Sequence, residues 1–171
     1  MSLSLYQATI PTYLQILGAV AGLLDKAQAH CADNNLPPES LIQARLAEDM
    51  LPFAFQINSV AHHSIGAIEG VGRGVFSPDR SAPENFADLA GRIADARSAL
   101  EALTEDQVNA YTGKPLRFEY GEIRMDFVAE EFLLSFSQPN FYFHAATAYD
   151  ILRWRGLSIG KRDFIGQLRT L

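Results

Sequence analysis

The segment PNFYFHAATAYDILRW, residues 139–154, is the stretch that decides the fold. Phe141, Ala145, Ala148 and Leu152 follow one another at steps of three or four residues, which places them on one face of a helix. A single apolar stripe of this kind predicts a helix that buries one side against neighbouring elements and leaves the other side in solvent.

Three more segments upstream have the same periodicity, and together with this one they predict a helical bundle. The predicted helices cover about residues 9–34, 38–70 and 83–103. Pro11 suits the first turn of the first helix, because a proline there removes no helical hydrogen bond. We expect Pro52 to kink the second helix without ending it, since the apolar stripe continues in phase on both sides.

The segment between the third and the last helix changes to a period of two residues. Leu116, Phe118 and Tyr120 alternate with polar residues, then Gly121 and Glu122 precede a second alternating run. This pattern predicts a small β-hairpin before the last helix, with helical turns resuming from about residue 127. Residues 71–83 are expected to form a surface loop, and residues 157–171 an irregular arm.

The expected architecture follows from these elements. Each helix has only one apolar stripe and is too weak to be stable alone in water, so the helices must pack together. The predicted fold class is therefore mainly all-α, a four-helix bundle with one small β-hairpin. The length of 171 residues, without an internal repeat or linker, predicts a single domain over residues 1–171.

Composition limits the partners of the chain. The formal net charge of −6 argues against a general nucleic-acid-binding protein, which needs a basic surface. Cys31 is the only cysteine, so neither an internal disulfide nor a cysteine metal cluster can form. The apolar run from Ile16 to Leu24 is too short to span a bilayer. We expect a soluble, cytoplasmic protein with no membrane association.

The histidines of the second and last helices are separated by helical geometry. At about 100° per residue, His63 lies at the border of the buried stripe, on the same edge as Gln56 and Asp49, whereas His62 points towards solvent. In the last helix, His144 lies beside the buried face, with Asn140 one turn earlier.

Two helices therefore each present a polar edge at the border of the core. Cofactor and metal sites in bundles are built in this way, from side chains on facing helices. The candidate pocket comprises His63, Asn140, His144, Asp49 and Gln56. Two alternatives stay open, namely that the histidines are interior residues satisfied by neighbouring groups, and that Asp49 forms an intrahelical ion pair with Arg45.

Three segments of the chain resemble a known family. The segments ARLAEDMLP at residues 44–52, PNFYFHAATAYDILR at 139–153 and GKRDFIG at 160–166 are similar to a mostly microbial family of unknown function. That family resembles a divergent branch of the DinB/YfiT-like superfamily, and the likeness covers essentially the whole chain. The resemblance implies the four-helix DinB-like fold and a homodimer, since domains of this superfamily often dimerise.

The resemblance also implies a metal site, from which this chain departs. Better-studied members of the superfamily bind a divalent metal through three histidines, and some transfer or hydrolyse thiol adducts. His63 corresponds to the first histidine and His144 to the last, but Asn140 occupies the place of the remaining one. A neutral amide oxygen is a poor ligand for zinc or nickel. The expected cofactor is therefore none, or a weakly bound divalent metal held by His63 and His144.

Three functions follow from these observations. The first choice is a metal-free protein that binds a small ligand, such as an anion or a thiol, or that binds another protein. The second is a metal-dependent transferase or hydrolase, in which the metal lowers the pKa of a bound thiol or water. The third is a scaffold that only dimerises.

Overall fold

The structure is a computed structural model that describes residues 3–81 and 83–170. The long helices are α1 (Leu5–Asp33), α3 (Phe53–Ala61), α5 (Phe86–Glu101) and α8 (Gln138–Trp154). The short helices are α2 (Glu39–Ile42), α4 (Ala67–Arg73), α6 (Glu105–Asn109), α7 (Ala129–Glu131) and α9 (Lys161–Ile165). The strands are β1 (Val75–Phe76), β2 (Pro115–Tyr120) and β3 (Ile123–Val128).

Helices α1, α3, α5 and α8 form the bundle. Helix α1 packs against α5 and α8, and α3 packs against the same two helices from the other side. The apolar face predicted for α8 is fully buried, and Phe141 meets Tyr13 of α1 edge to face with ring centres 4.9 Å apart. The bundle therefore has one continuous core, in which the stripe on each helix finds its partner.

Two of the helical rods contain a π-helical segment. The segment π1 (His62–Gly66) joins α3 to α4, and π2 (Phe132–Ser137) joins α7 to α8. A π-helical turn closes from residue i to i+5, so it holds one more residue than an α-helical turn. Both rods are thus helical from end to end, but the side-chain directions change within them.

The predicted hairpin is present and extends into a three-stranded sheet. Strands β2 and β3 are antiparallel, with Leu116 opposite Phe127 and Tyr120 opposite Ile123 across the two-residue turn. The predicted surface loop at residues 71–83 is partly wrong, because Val75 and Phe76 pair with β2 as a parallel strand. Phe76 is fully buried, and this burial holds β1 against the bundle.

The predicted second helix is also partly wrong. Helix α2 ends at Ile42, residues 43–52 form a loop, and α3 begins only after Pro52, whose extended backbone precedes the helix. The N–H of Phe53 donates to the carbonyl of Ala44 at 2.8 Å, which closes the loop onto the start of α3. Proline restricts the residue before it away from helical geometry, so Pro52 marks a helix start here and not a kink.

Helix α1 begins earlier than predicted. The Ser4 hydroxyl accepts from the backbone N–H of Gln7, and the Gln7 side-chain oxygen accepts from the backbone N–H of Ser4. This capping box, and not Pro11, marks the start of the helix. By length and composition alone, α1 is apolar enough to cross a membrane. Half of the residues in its most apolar 18-residue window are buried in the bundle, and core helices and signal sequences both meet this length and composition criterion.

Candidate functional site

His63 lies where the two π-helical segments meet. It belongs to π1, and its side chain is only 8% exposed. The centre of the His63 ring lies 5.4 Å from that of Phe76 in β1 and 6.1 Å from that of Phe136 in π2. The sheet and both rods thus enclose one imidazole in an aromatic setting.

His144 reaches the same place from α8. Its ring lies 5.8 Å from that of His63, centre to centre, with 19° between the two ring planes. The ring is half-buried, and Phe55 and Phe143 lie 6.0 Å and 5.3 Å from it. Close packing of α3 on α8 brings the two histidines together, although 81 positions separate them in the sequence.

Gln56 determines the tautomer of His144. The Gln56 amide nitrogen donates to the carbonyl of Leu51 at 2.8 Å, which turns its oxygen towards His144. That oxygen lies 2.7 Å from Nδ1 of His144, and an amide oxygen can only accept. Nδ1 of His144 therefore carries the hydrogen, and Nε2 of the neutral ring retains a lone pair.

Ser137 has the corresponding role for His63. The Ser137 hydroxyl donates to the backbone carbonyl of His63 at 3.0 Å, and its oxygen lies 3.2 Å from Nδ1 of the same residue. Since its one hydrogen is used on the carbonyl, the hydroxyl accepts from Nδ1–H. Nε2 of His63 is then the nitrogen with a lone pair, as in His144.

Both imidazoles are neutral at pH 7. Burial lowers the pKa of His63, and with smaller contributions from the neighbouring His144 and His62 this pKa reaches about 3. Burial also lowers the pKa of His144 to about 4. The pair therefore offers two uncharged, weakly basic hydrogen-bond acceptors that lie among aromatic side chains.

Asn140 lies one turn before His144 and is half-buried. Its amide nitrogen donates to the carbonyl of Phe136 in its own helix at 2.7 Å. The side chain is thereby held back on α8, and only its Oδ1 could contribute to the pocket. This arrangement makes Asn140 a weak addition to the two imidazoles.

The predicted position of Asp49 on the same helical edge as Gln56 and His63 is wrong. Asp49 and Arg45 both lie exposed in the loop at residues 43–52, not on the helix that carries Gln56 and His63. Within the described part of the chain, neither of them forms an ion pair. The helical edge predicted for Asp49 requires a helix that Pro52 does not permit.

His62 also differs from its predicted position in solvent. Its ring stacks on Phe76 at 4.5 Å, and Nε2 lies 2.8 Å from the carbonyl of Ser77. The segment from β1 to Ser77 folds back over this ring, and no pattern in the sequence predicts that strand. His62 is consequently half-buried on the side of α3 that faces α5.

Sequence reasoning missed Ser137, although a signal for it existed. Ser137, Asn140 and His144 follow one another at steps of three and four residues, so they share one edge of a continuous helix. A helix that is taken to begin at Pro139 or Asn140 leaves Ser137 outside it, so the shared edge is not visible. Recognising that the rod continues through π2 adds Ser137 to the same polar edge.

The donor set does not fit a catalytic zinc or nickel site. Two imidazoles that share one zinc ion through bonds of about 2 Å have ring centres about 5–6 Å apart, so the spacing of His63 and His144 is compatible. Such a site needs a third strong protein ligand. Among residues 3–81 and 83–170, no group of three histidine, cysteine, aspartate or glutamate side chains is placed to hold a metal.

Comparison with known proteins gives the chain a family and a solved relative. A family model described as "Domain of unknown function (DUF1993)" matches residues 5–165. The chain is similar to the crystal structure of a DinB family member protein from Shewanella denitrificans, with 25% sequence identity and a TM-score of 0.80. That likeness covers 98% of this chain and 94% of the other. The expected DinB-like helical fold is therefore confirmed. None of the curated proteins searched matches the chain.

Proposed function

This chain belongs to the DUF1993 family and has the DinB-like four-helix fold, and on that premise we propose that it binds a small ligand between His63 and His144 without a metal. One observation supports this above the others. Gln56 and Ser137 engage both Nδ1 atoms, so the protein holds two neutral rings with their Nε2 lone pairs left for a ligand. A ligand that donates hydrogen bonds matches this arrangement.

The charge state narrows the ligand class. Neutral imidazoles do not attract an anion, and the net charge of −6 opposes one further. A thiol satisfies the site better, because its S–H can donate to an Nε2 atom and its sulfur packs well against the rings of Phe55 and Phe136. Of the two ligand kinds expected from the sequence, we therefore favour a small uncharged thiol.

Carbon-13 labelling of the histidine rings tests this proposal by NMR. The probe is 2-mercaptoethanol, compared with ethylene glycol, which replaces the thiol by a hydroxyl, and with 3-mercaptopropionate, which adds a negative charge. We expect saturable shifts of the His63 and His144 ring signals with the uncharged thiol, and weaker responses to the other two compounds. The ring of His30, near the end of α1, serves as the internal control.

A matched substitution separates ligand binding from folding. In His144→Asn, the side-chain amide can still donate to Gln56, but the Nε2 lone pair is lost. We expect this variant to keep its fold and to lose the thiol response at His63. A wild-type response that is equal for thiol and diol, or that survives His144→Asn unchanged, would contradict the proposal.

The alternative is a metal-dependent transferase or hydrolase, and the spacing of the two rings is the observation in its favour. Elemental analysis distinguishes the two, on protein prepared without a tag or chelator. Our proposal predicts that zinc and nickel stay at background level in the wild type and do not change in His63→Ala. One metal ion per chain in the wild type, lost in both His63→Ala and His144→Ala, would contradict our proposal and support the metal-dependent enzyme.

A cytoplasmic location and a homodimer complete the proposal. The free thiol of Cys31 is suited to a reducing compartment, and the acidic net charge gives no support for a nucleic-acid partner.

A further inference from the structure

The sheet has one open edge, which is formed by strand β3. This strand is the outer one in the order β1, β2, β3, and within the described chain β2 is the only helix or strand that packs closely against it. Each β3 residue except Phe127 is exposed. An exposed edge strand presents a row of backbone N–H and carbonyl groups without partners, and such a row is a template for pairing with another strand.

The phase of the hairpin determines which backbone groups lie on this edge. Tyr120 and Ile123 close a two-residue turn, so they form a hydrogen-bonded pair, and such pairs recur at every second residue along the two strands. The N–H of Ala129 donates to the carbonyl of Lys114 at 2.8 Å, in the same phase. The residues between these pairs direct their N–H and carbonyl groups away from β2. In β3 these outward residues are Arg124, Asp126 and Val128.

Two of the outward residues carry opposite charges on the face of the sheet that points away from the bundle. Arg117 of β2 donates to both carboxylate oxygens of Asp126, at 2.6 and 3.0 Å. The Arg124 guanidinium lies 3.3 Å from the carboxylate of Glu119 on β2. All four side chains are at least 39% exposed. The open edge therefore presents one positive and one negative side chain, and each of them can meet a further charge from a neighbouring strand.

This edge is complementary to itself. When two copies of β3 lie antiparallel with Met125 opposite Met125, Arg124 of each copy lies opposite Asp126 of the other. Every charge in the row across the four strands then has only opposite charges beside it, in the order Arg117, Asp126, Arg124 and Glu119. The neighbouring registers with the same hydrogen-bonding phase place Arg124 opposite Arg124, or Asp126 opposite Asp126. A slip by one residue brings outward groups against inward ones, so a single register is favoured.

The other face of β3 carries exposed apolar side chains that a second copy would cover. Ile123 and Met125 share the face of the sheet on which Phe118 is buried, yet they are 51% and 37% exposed. Strand β3 therefore projects beyond the bundle, which leaves room for another copy beside it. In the register described, Ile123 of each copy packs against Phe127 of the other, and the two Met125 side chains meet at the centre.

We propose that β3 pairs with β3 of a second copy of this chain, antiparallel and around a two-fold axis at Met125, so that two three-stranded sheets become one continuous sheet. A strand of six residues covers less surface than a stable interface requires, so the pairing is weak and needs a high protein concentration. The interface involves neither α8 nor the His63–His144 pair, and it does not depend on the function proposed for that pair.

Two charge-reversed variants of the full chain test the register. In Arg124→Asp both charges of the edge are negative, and in Asp126→Arg both are positive, so each variant repels itself and attracts the other. The measurement is amide NMR on isotope-labelled Arg124→Asp, to which unlabelled Asp126→Arg or unlabelled Arg124→Asp is added at millimolar concentration. We expect saturable shifts at positions 124, 126 and 128 with Asp126→Arg, and binding at least about tenfold weaker with Arg124→Asp.

The wild-type chain gives an independent measurement, because each variant also places like charges within its own hairpin. In a concentration series up to the millimolar range, we expect the amide signals of Arg124 and Asp126 to shift with concentration and those of α5 to stay constant. Arg162→Asp makes the same charge change at an exposed position of α9 and should leave this dependence intact. Wild-type β3 signals that do not depend on concentration, or an equal response of labelled Arg124→Asp to both variants, would overturn the proposal.

Discussion

The bond between Gln56 and His144 shows how much of the site depends on single side chains. Gln56 connects the loop before α3, through Leu51, to a histidine on α8. Helical periodicity places Gln56 on the correct edge because α3 is regular over those residues. It places Asp49 wrongly because the same periodicity was extended through Pro52 into a loop.

We expect the stability of the protein to fall as the pH decreases from 6.5 to about 3. The unfolded histidines have a pKa of about 6.5, whereas His63 and His144 in the folded chain have pKa values of about 3 and 4. The unfolded chain binds more protons in that window, so the stability from the neutral rings is complete above pH 6.5 and is lost as the pH falls.

Urea unfolding at pH 7.5 and pH 4.5 measures this effect. Each ring should contribute about 2–3 kcal/mol to the difference in the free energy of unfolding. His144→Asn should reduce the difference, because it removes one of the two rings. An equal pH dependence in wild type and His144→Asn would contradict the neutral state of the ring.

We expect Gln56→Glu to raise the pKa of His144. A carboxylate at this position accepts from Nδ1–H and stabilises the charged imidazolium, which the amide does not. NMR titration of the His144 ring should give a pKa above 6, compared with about 4 in the wild type. Gln56→Met, which has neither charge nor acceptor oxygen, is the control and should not raise it.

At the scale of the elements, the two π-helical segments were not predictable. One extra residue in a helical turn leaves no mark in composition or period, and its position is determined by what packs against it. Strand β1 escaped prediction for a similar reason, since two residues form a strand only because β2 lies beside them. The hairpin was predictable because six alternating residues on each side of a Gly-Glu turn carry their own signal.

We expect Ser137→Ala to loosen the junction between π1 and π2. The hydroxyl of Ser137 contacts both the carbonyl and the ring of His63, and it is fully buried. Its loss leaves a buried Nδ1–H without an acceptor, so the free energy of unfolding should fall by about 1–2 kcal/mol. Ser135→Ala is a matched control, because Ser135 is exposed and bonds only within its own rod.

Chemical denaturation and carbon-13 titration of His63 together test this role. Equal stability of Ser137→Ala and Ser135→Ala, with an unchanged His63 pKa, would show that Ser137 does not hold the ring.

At the scale of the whole molecule, the bundle was predictable because four apolar stripes of helical period admit few arrangements. Helix α8 nevertheless exposes large apolar side chains on one face. Phe143 and Trp154 lie three turns apart on that face and are 58% and 59% exposed. An exposed apolar face of this kind is typical of an interface between subunits.

We expect sedimentation at micromolar concentration to show a dimer. Phe143→Glu combined with Trp154→Glu should convert it to a monomer, because two charges would be buried without partners. Leu36→Glu, at an exposed position between α1 and α2, is the control and should leave the dimer intact. A monomeric wild-type protein would contradict the predicted interface.

The covering of α1 has a consequence for synthesis in the cell. Its partners α5, α8 and α9 follow it by roughly 50 to 130 residues in the chain. While the ribosome is still translating those partners, a long apolar helix has emerged and has nothing to pack on. Nascent chains of this protein should therefore be clients of chaperones that shield hydrophobic segments, and slowing translation after α1 should lengthen that association.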